Sequence, residues 1–118
     1  MVRMTVSWIV LPQESGPIAA AVHELMLATR AERGCVNCDL STHLGERARL
    51  LYVEEWREEI DLRRQLRSDR FAKLAELVER ARERPRVEFE LPGGARGLDY
   101  AEEVRQGREK PTPGTLGA

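Results

Sequence analysis

Hydrophobic residues crowd positions 4–11, Met-Thr-Val-Ser-Trp-Ile-Val-Leu, an uncharged run of β-branched and aromatic side chains that stops at Pro12, which has no N–H to give a ladder. The run predicts a strand. Ser15-Gly16-Pro17 supplies a cap and a first-turn proline, and Ile18, Val22, Leu25, Met26 and Thr29 then recur on one face until Gly34 offers a left-handed stop. That spacing predicts an amphipathic helix of about four turns. Val36, Cys38, Leu40 and Leu44 alternate with polar residues, Gly45-Glu46-Arg47 makes a turn, and residues 49–56 alternate again, so two antiparallel strands follow. Residues 58–66 predict a short helix. Ser68 caps another, whose buried stripe is Phe71, Leu74, Leu77, Val78 and Ala81 and which Pro85 ends. Strict alternation over residues 86–91 predicts a last strand. Beyond Pro92, Gly93, Gly94 and Gly97 loosen the chain, residues 98–105 have the length of two helical turns, and 111–118 reads as a disordered tail.

The order β-α-β-β-α-β predicts an α+β, ferredoxin-like split βαβ fold, a four-stranded antiparallel sheet with helices on one face. The expected division is one domain over residues 1–92 and a C-terminal extension over 93–118, which either crosses onto a partner subunit or caps a pocket. The first strand offers Met4, Val6, Trp8 and Val10 on one side and Ile9 and Leu11 on the other. The third offers Leu50, Tyr52 and Trp56 against Leu51 and Val53. Apolar residues on both faces of a sheet covered on one face imply a second sheet packed against it, most simply from an identical chain, so a homodimer through sheet-to-sheet packing is expected.

Composition narrows the partners. At 118 residues the chain fits a single domain with one modest core. The stretch 4–13 is too short to span a bilayer and has no basic segment before it, so a cytoplasmic protein without a membrane partner is expected. Nineteen basic residues against twenty acidic leave a net charge of -1, which lacks the surplus needed to neutralise many phosphates and argues against nucleic acid. All the basic residues but Lys73 and Lys110 are arginine, a side chain that keeps its charge and clamps anions.

Three pieces in this order and spacing carry a resemblance: residues 29–35, Thr-Arg-Ala-Glu-Arg-Gly-Cys, at the end of the first helix; Glu54-Glu55-Trp56 closing the third strand; and residues 68–71, Ser-Asp-Arg-Phe, opening the long helix. Over roughly residues 4 to 91 the chain resembles the antibiotic-biosynthesis monooxygenase domain of the dimeric α+β barrel superfamily. The resemblance implies a dimeric barrel and a cofactor-free oxygenase of quinols or aromatic polyketides, with a small aromatic molecule as substrate. Family members often carry an aromatic residue where this chain has Cys38, a histidine where it has Gln65, and another where it has Arg70. Related families degrade haem through a helix histidine, and Gln65 and Arg70 in those places speak against haem here.

Cofactor-free oxygenation needs an electron-rich substrate, usually a phenolate or enolate, held in a dry pocket by donors aimed at developing charge. Trp56 has an indole N–H for a substrate carbonyl and a ring to stack on; it equally suits a core position between sheet and helices. Gln65 can hydrogen-bond a quinol oxygen but cannot titrate, and as a solvated helix residue it would need no explanation. Glu54, two residues before Trp56, shares its strand face and is read as a base or, preferentially, as the buried partner of an arginine. Tyr52 continues that face, and Phe71 is a pocket wall. Of Ser7 and Trp8 one must point to the helices, and Ser7 is the candidate for a polar pocket contact. His23, near the edge of the first helix's apolar stripe, is the better candidate base of the two histidines; His43 ends the second strand.

Cys35 and Cys38, three apart in an extended strand, should point to opposite faces about 10 Å apart, too far for one disulfide or one metal. The reading is two reduced cysteines, one against the helices and one against a partner, with no metal and no cofactor. Two functions remain: a cofactor-independent monooxygenase using Trp56, Gln65, Glu54 and His23, or a non-catalytic dimer that binds a small aromatic ligand or serves as an accessory subunit.

Overall fold

The computed structural model describes residues 1–107, in the order β1 (Val2–Val10), α1 (Pro12–Arg30), β2 (Cys35–Leu44), β3 (Ala48–Trp56), α2 (Glu59–Leu66), α3 (Asp69–Val78), β4 (Arg86–Leu91), β5 (Gly94–Arg96) and α4 (Leu98–Gln106). The expected tail at 111–118 lies outside the described residues. The strands form one antiparallel sheet in the order β2-β3-β1-β4-β5, the split βαβ arrangement with a fifth strand where four were expected. Gly94 adopts a φ of +122°, open to glycine and strained for other residues, and turns the chain so that Ala95 and Arg96 pair back onto Glu90 and Phe89. Among the described residues no helix is long and apolar enough to cross a membrane.

The period-2 pattern of β1 puts Val2, Met4, Val6, Trp8 and Val10 on the helix side, opposite the buried β3 residues Trp56, Glu54, Tyr52, Leu50 and Ala48 in the same register. Trp8, not Ser7, therefore faces the helices. Ile18, Val22, Met26 and Thr29 of α1 and Phe71, Leu74 and Val78 of α3 close the core from above. Each buried aliphatic or aromatic side chain there contributes about 1.5–3 kcal/mol relative to exposure. Tyr100, Ala101 and Val104 of α4 join the same core, with the Tyr100 ring 5.0 Å from that of Phe89. The extension thus packs on its own chain, and Arg105 donates to the Leu66 carbonyl at 2.6 Å. The opposite sheet face carries Thr5, Ser7 and Ile9 from β1 and Arg49, Leu51 and Val53 from β3, with only Ile9 fully buried.

Two local features depart from the sequence pattern. α1 begins at Pro12 rather than near Gly16, because the Glu14 carboxylate accepts the Leu11 N–H at 3.1 Å and the Ser15 hydroxyl donates to the Pro12 carbonyl at 2.7 Å. Pro17 consequently sits inside the helix and forgoes one backbone bond. In β2 the pairing register shifts between Cys35 and Asn37, so Cys35 lies opposite Trp56 and Cys38 opposite Glu54. Both cysteines pack toward the helix-side core, and Cys35 is not directed at the outer face.

Gly34, between α1 and β2, has a φ of +89° and accepts the Arg57 N–H at 2.8 Å. A Cβ there would lie 2.2 Å from the Asp61 side-chain Cγ, so the Asp61 carboxylate occupies the space that the missing side chain leaves. Asp61 in turn accepts the Glu58 N–H at 3.2 Å and fixes the start of α2.

Candidate functional site

Alternation along β3 sends Tyr52, Glu54 and Trp56 to one face, and the cross-strand partners of Glu54, Met4 and Cys38, seal it on both sides. Glu54 is 0% exposed. Trp56 Nε1 donates to Glu54 Oε1 at 2.9 Å, Gln65 Nε2 donates to Oε2 at 3.2 Å, and the Tyr52 hydroxyl donates to the same Oε2. Among the described residues no arginine bridges the carboxyl, contrary to the paired arrangement expected for a buried acid. Three uncharged donors take that place.

Gln65 reaches this cluster from the buried face of α2, beside Leu62 and Leu66, and is 2% exposed rather than solvated. Its Nε2 also donates to Thr29 Oγ1 at 3.1 Å, and its Oε1 accepts from Arg70 Nε at 3.1 Å. Arg70 pairs with Glu32 at 3.1 Å, so a chain of polar contacts runs from a half-exposed ion pair to the buried carboxyl. At the other end Cys38 Sγ lies 3.3 Å from the Tyr52 hydroxyl oxygen. Tyr52 has one hydrogen; when that hydrogen is on Glu54, the Cys38 thiol is the donor of the last contact.

Burial raises the pKa of Glu54 above its ordinary value of 4.5, against the pull of the Tyr52, Trp56 and Gln65 bonds and the Arg70 charge. Burial also pushes the Tyr52 phenol up, with the Glu54 charge adding to it. The Cys38 thiol is pushed up to about 12 by burial, the Tyr52 hydrogen bond opposing. The cluster can therefore hold a proton on Glu54 where a solvated carboxylate has lost it.

These contacts reassign the expected roles. The single indole hydrogen of Trp56 is spent on Glu54, and both amide hydrogens and the carbonyl of Gln65 are spent on protein partners, so neither residue offers a free donor to a substrate. His23 is exposed on α1 and makes no contact with Glu54, and His43 is exposed on β2. Thr29 and Arg70 complete the network without having been singled out for it. A hydroxyl recurring on the apolar stripe of α1 was the available signal for Thr29.

Two hollows mark the surface. A groove of about 1080 Å³ runs between α3, the connection at 79–85 and the first residues of β4, and its lining includes Ser7, Phe71, Leu74 and Val78. β5 covers β4 only from Phe89 to Leu91, which leaves Arg86 to Glu88 at the sheet edge where the groove wraps round. A smaller cleft of about 460 Å³ lies beside Gly34 and Asp61. The Glu54 cluster lines neither, though Val6, which lines the groove, is the cross-strand neighbour of Tyr52. Among the described residues no group of three or more His, Cys, Asp or Glu side chains is placed to hold a metal ion.

The family model "Antibiotic biosynthesis monooxygenase" matches residues 1–83. A solved structure described as an antibiotic biosynthesis monooxygenase is 21% identical, with a TM-score of 0.65 over 75% of this chain and 95% of that one. A conserved protein from Methanosarcina mazei is 22% identical, with a TM-score of 0.66 over 76% and 90% of the two chains. A protein from Mycobacterium tuberculosis is 22% identical, with a TM-score of 0.62 over 77% and 93%. At these identities the structures establish the fold. A search of curated proteins gives no match.

Proposed function

The chain belongs to the antibiotic biosynthesis monooxygenase family, and from that premise we propose that it is a cofactor-independent monooxygenase oxidising a quinol or aromatic polyketide-like substrate with molecular oxygen. With an anthrone-like substrate a methylene between aromatic rings becomes a carbonyl: one oxygen atom enters the product, the other leaves as water with the two methylene hydrogens, and the substrate supplies all four electrons. The observation that carries the reading is the Glu54 carboxyl, wholly enclosed, without an ion pair, and ringed by Tyr52, Trp56 and Gln65. A buried carboxyl kept without a counter-charge is costly, and costly titratable groups concentrate at working sites. Substrate lies in the groove against Phe71, one side chain away from Tyr52 across Val6. Glu54 holds a proton inside the core, and Tyr52, Trp56 and Gln65 hold the carboxyl in place.

Oxygen uptake with a panel of hydroquinones and anthrones tests this. Uptake above the uncatalysed rate, lost in Glu54→Gln, is the expected result. Absence of uptake across the panel, with aromatic ligands still binding, favours the second reading, a non-catalytic dimeric binder of small aromatics or an accessory protein. The observation on its side is that Glu54 does not line the groove. In both readings the chain is a cytoplasmic homodimer through the outer sheet face, where Ile9, Leu51 and Val53 supply the apolar centre and two free cysteines suit a reducing compartment. Light scattering should give twice the chain mass of 13.4 kDa, and a monomer mass at micromolar concentration would reject the dimer.

A further inference from the structure

The three groups around the Glu54 carboxyl differ in what they can do when it carries a proton. The Trp56 indole only donates, so it has nothing to offer a carboxyl hydrogen. The Tyr52 hydroxyl gives or takes. Gln65 does one or the other according to which end of its amide faces the carboxyl, and the two ends have nearly the same shape. Its neighbours decide between them. The Thr29 hydroxyl, 3.1 Å from Nε2, also gives or takes and selects neither end. The Arg70 guanidinium has hydrogens to give and no acceptor, and its Nε donates to Gln65 Oε1 at 3.1 Å. A flipped amide would set N–H against N–H there. Glu32, just past α1, holds the guanidinium from its other side at 3.1 Å, so Arg70 is itself fixed. From the remaining elements, β2 brings the titratable Cys38 and Cys35 toward the cluster, the first 3.3 Å from the Tyr52 hydroxyl, and α1 brings Arg30, bound to the Cys38 carbonyl. The neighbours of Glu54 from β1 and of Gln65 along α2 are the uncharged Met4, Leu62 and Leu66.

We propose that Arg70 is a positioning residue: by holding the Gln65 carbonyl it turns the amide hydrogens to Glu54, and the proton of the buried acid is thereby directed to the Tyr52 hydroxyl. With the proton present, Glu54 donates to the Tyr52 oxygen and the Tyr52 hydrogen turns to the Cys38 sulfur. With the proton gone, Tyr52 donates to Glu54 Oε2 and the Cys38 thiol donates to Tyr52. One proton gained or lost thus reverses two contacts in series, and Arg70, which touches neither, sets the direction through a single amide. The role rests on the monooxygenase reading for its use in turnover. The orientation itself does not depend on turnover.

Difference infrared spectroscopy of the full-length protein reads the protonated Glu54 carboxyl as the C=O band that Glu54→Gln lacks, and the pH midpoint of that band is followed in each variant. Arg70→Met frees the amide to turn its carbonyl to the acid, which favours the protonated form, and removes a positive charge that favours the ionised one. Both effects raise the midpoint. Gln65→Met separates them, because the charge effect survives there and the amide effect does not. The rise caused by Arg70→Met is expected to be about one pH unit larger with Gln65 in place than in the Gln65→Met background, a tenfold difference in the ratio of acid to carboxylate. Arg70→Lys, again a cation with hydrogens only to give, brings the midpoint back toward wild type. In Tyr52→Phe the acid has lost its other acceptor, so the rise from Arg70→Met is larger than with Tyr52 present. Equal rises with and without Gln65 would overturn the proposal and leave Arg70 as a charge alone, and a rise no larger in Tyr52→Phe would overturn the direction of the proton. A magnetic resonance measurement needs no Gln65 variant: the Gln65 side-chain hydrogens show contacts to Thr29 and Tyr52 in the wild type and lose them in Arg70→Met at acid pH, and their retention would also overturn the proposal. Oxygen uptake separates the two claims: unequal rises without uptake overturn the enzyme and keep the role of Arg70, and uptake with equal rises does the reverse.

Discussion

Replacing Glu54 by glutamine keeps the shape of the side chain and removes its charge, so the consequence can be worked from the hydrogen count. Three donors converge on two carboxyl oxygens, from Tyr52, Trp56 and Gln65. A primary amide offers one oxygen and two hydrogens of its own, so at least one of those donors meets an N–H instead of an acceptor. Leaving one buried donor unpaired costs about 1–3 kcal/mol. The wild type carries an opposing term. Burial raises the Glu54 pKa above 4.5, so between that value and the raised one the native state keeps a proton that the unfolded chain has released. Stability therefore falls as pH rises through this window, by at most about 1.4 kcal/mol per pH unit for one proton, and is fully retained below 4.5. Glu54→Gln has no proton there to lose. The variant should be less stable than the wild type at acid pH, and the gap should close as pH climbs. Urea unfolding followed by the fluorescence of buried Trp8 and Trp56, from about pH 4 to about pH 8, reads the gap directly. A gap that stays constant would mean that folding leaves the Glu54 pKa unchanged, and one that widens with rising pH that the three donors hold the carboxyl ionised; either result would refute the reasoning.

Gly34→Ala should destabilise the fold by at least about 2 kcal/mol, combining a strained left-handed residue with displacement of Asp61, and a thermal melt within experimental error of wild type would contradict the packing described. The Trp8 indole N–H is buried without a partner among the described residues whereas that of Trp56 is bound to Glu54, so Trp56→Phe should cost about 1–3 kcal/mol more than Trp8→Phe in chemical denaturation; equal costs would count against the Trp56 bond. Thiol titration of the native protein with an aromatic disulfide reagent at mildly alkaline pH should modify half-exposed Cys35 first. Cys38, enclosed and pushed up to about 12, should react only on unfolding, and simultaneous modification would show that the Tyr52 contact is open.

Alternation made β1 and β3 readable because each buries one face, and the stripes on α1 and α3 were readable at helical spacing for the same reason. What escaped was set by single residues in unusual surroundings. Gly93-Gly94 looked like slack chain, yet a positive φ at Gly94 makes it a hairpin, and Ser15-Gly16-Pro17 looked like a helix start although Glu14, by accepting the Leu11 N–H, had already opened the helix at Pro12. The register shift near Cys35 has no composition of its own, and without it the two cysteines fall on opposite faces. In the candidate site, shared strand parity put Glu54 beside Trp56 and Tyr52. Gln65 read as solvated because α2 is short and mostly polar, and its burial depends on where α2 lies, which its own sequence does not specify.

That position has a source in the turn before β2. Gly34 has no side chain, and the Asp61 carboxylate fills the vacancy; Gln65 follows Asp61 by one helical turn on the same face of α2. The depth at which α2 is seated is thus gauged by the absence of one methyl group, and the amide that touches Glu54 inherits that gauge. A methyl added at Gly34 would push on Asp61 and, through the rigid turn, lift Gln65 from the carboxyl. A turn residue with no functional group of its own thereby acts as the spacer that tunes a buried acid on another strand.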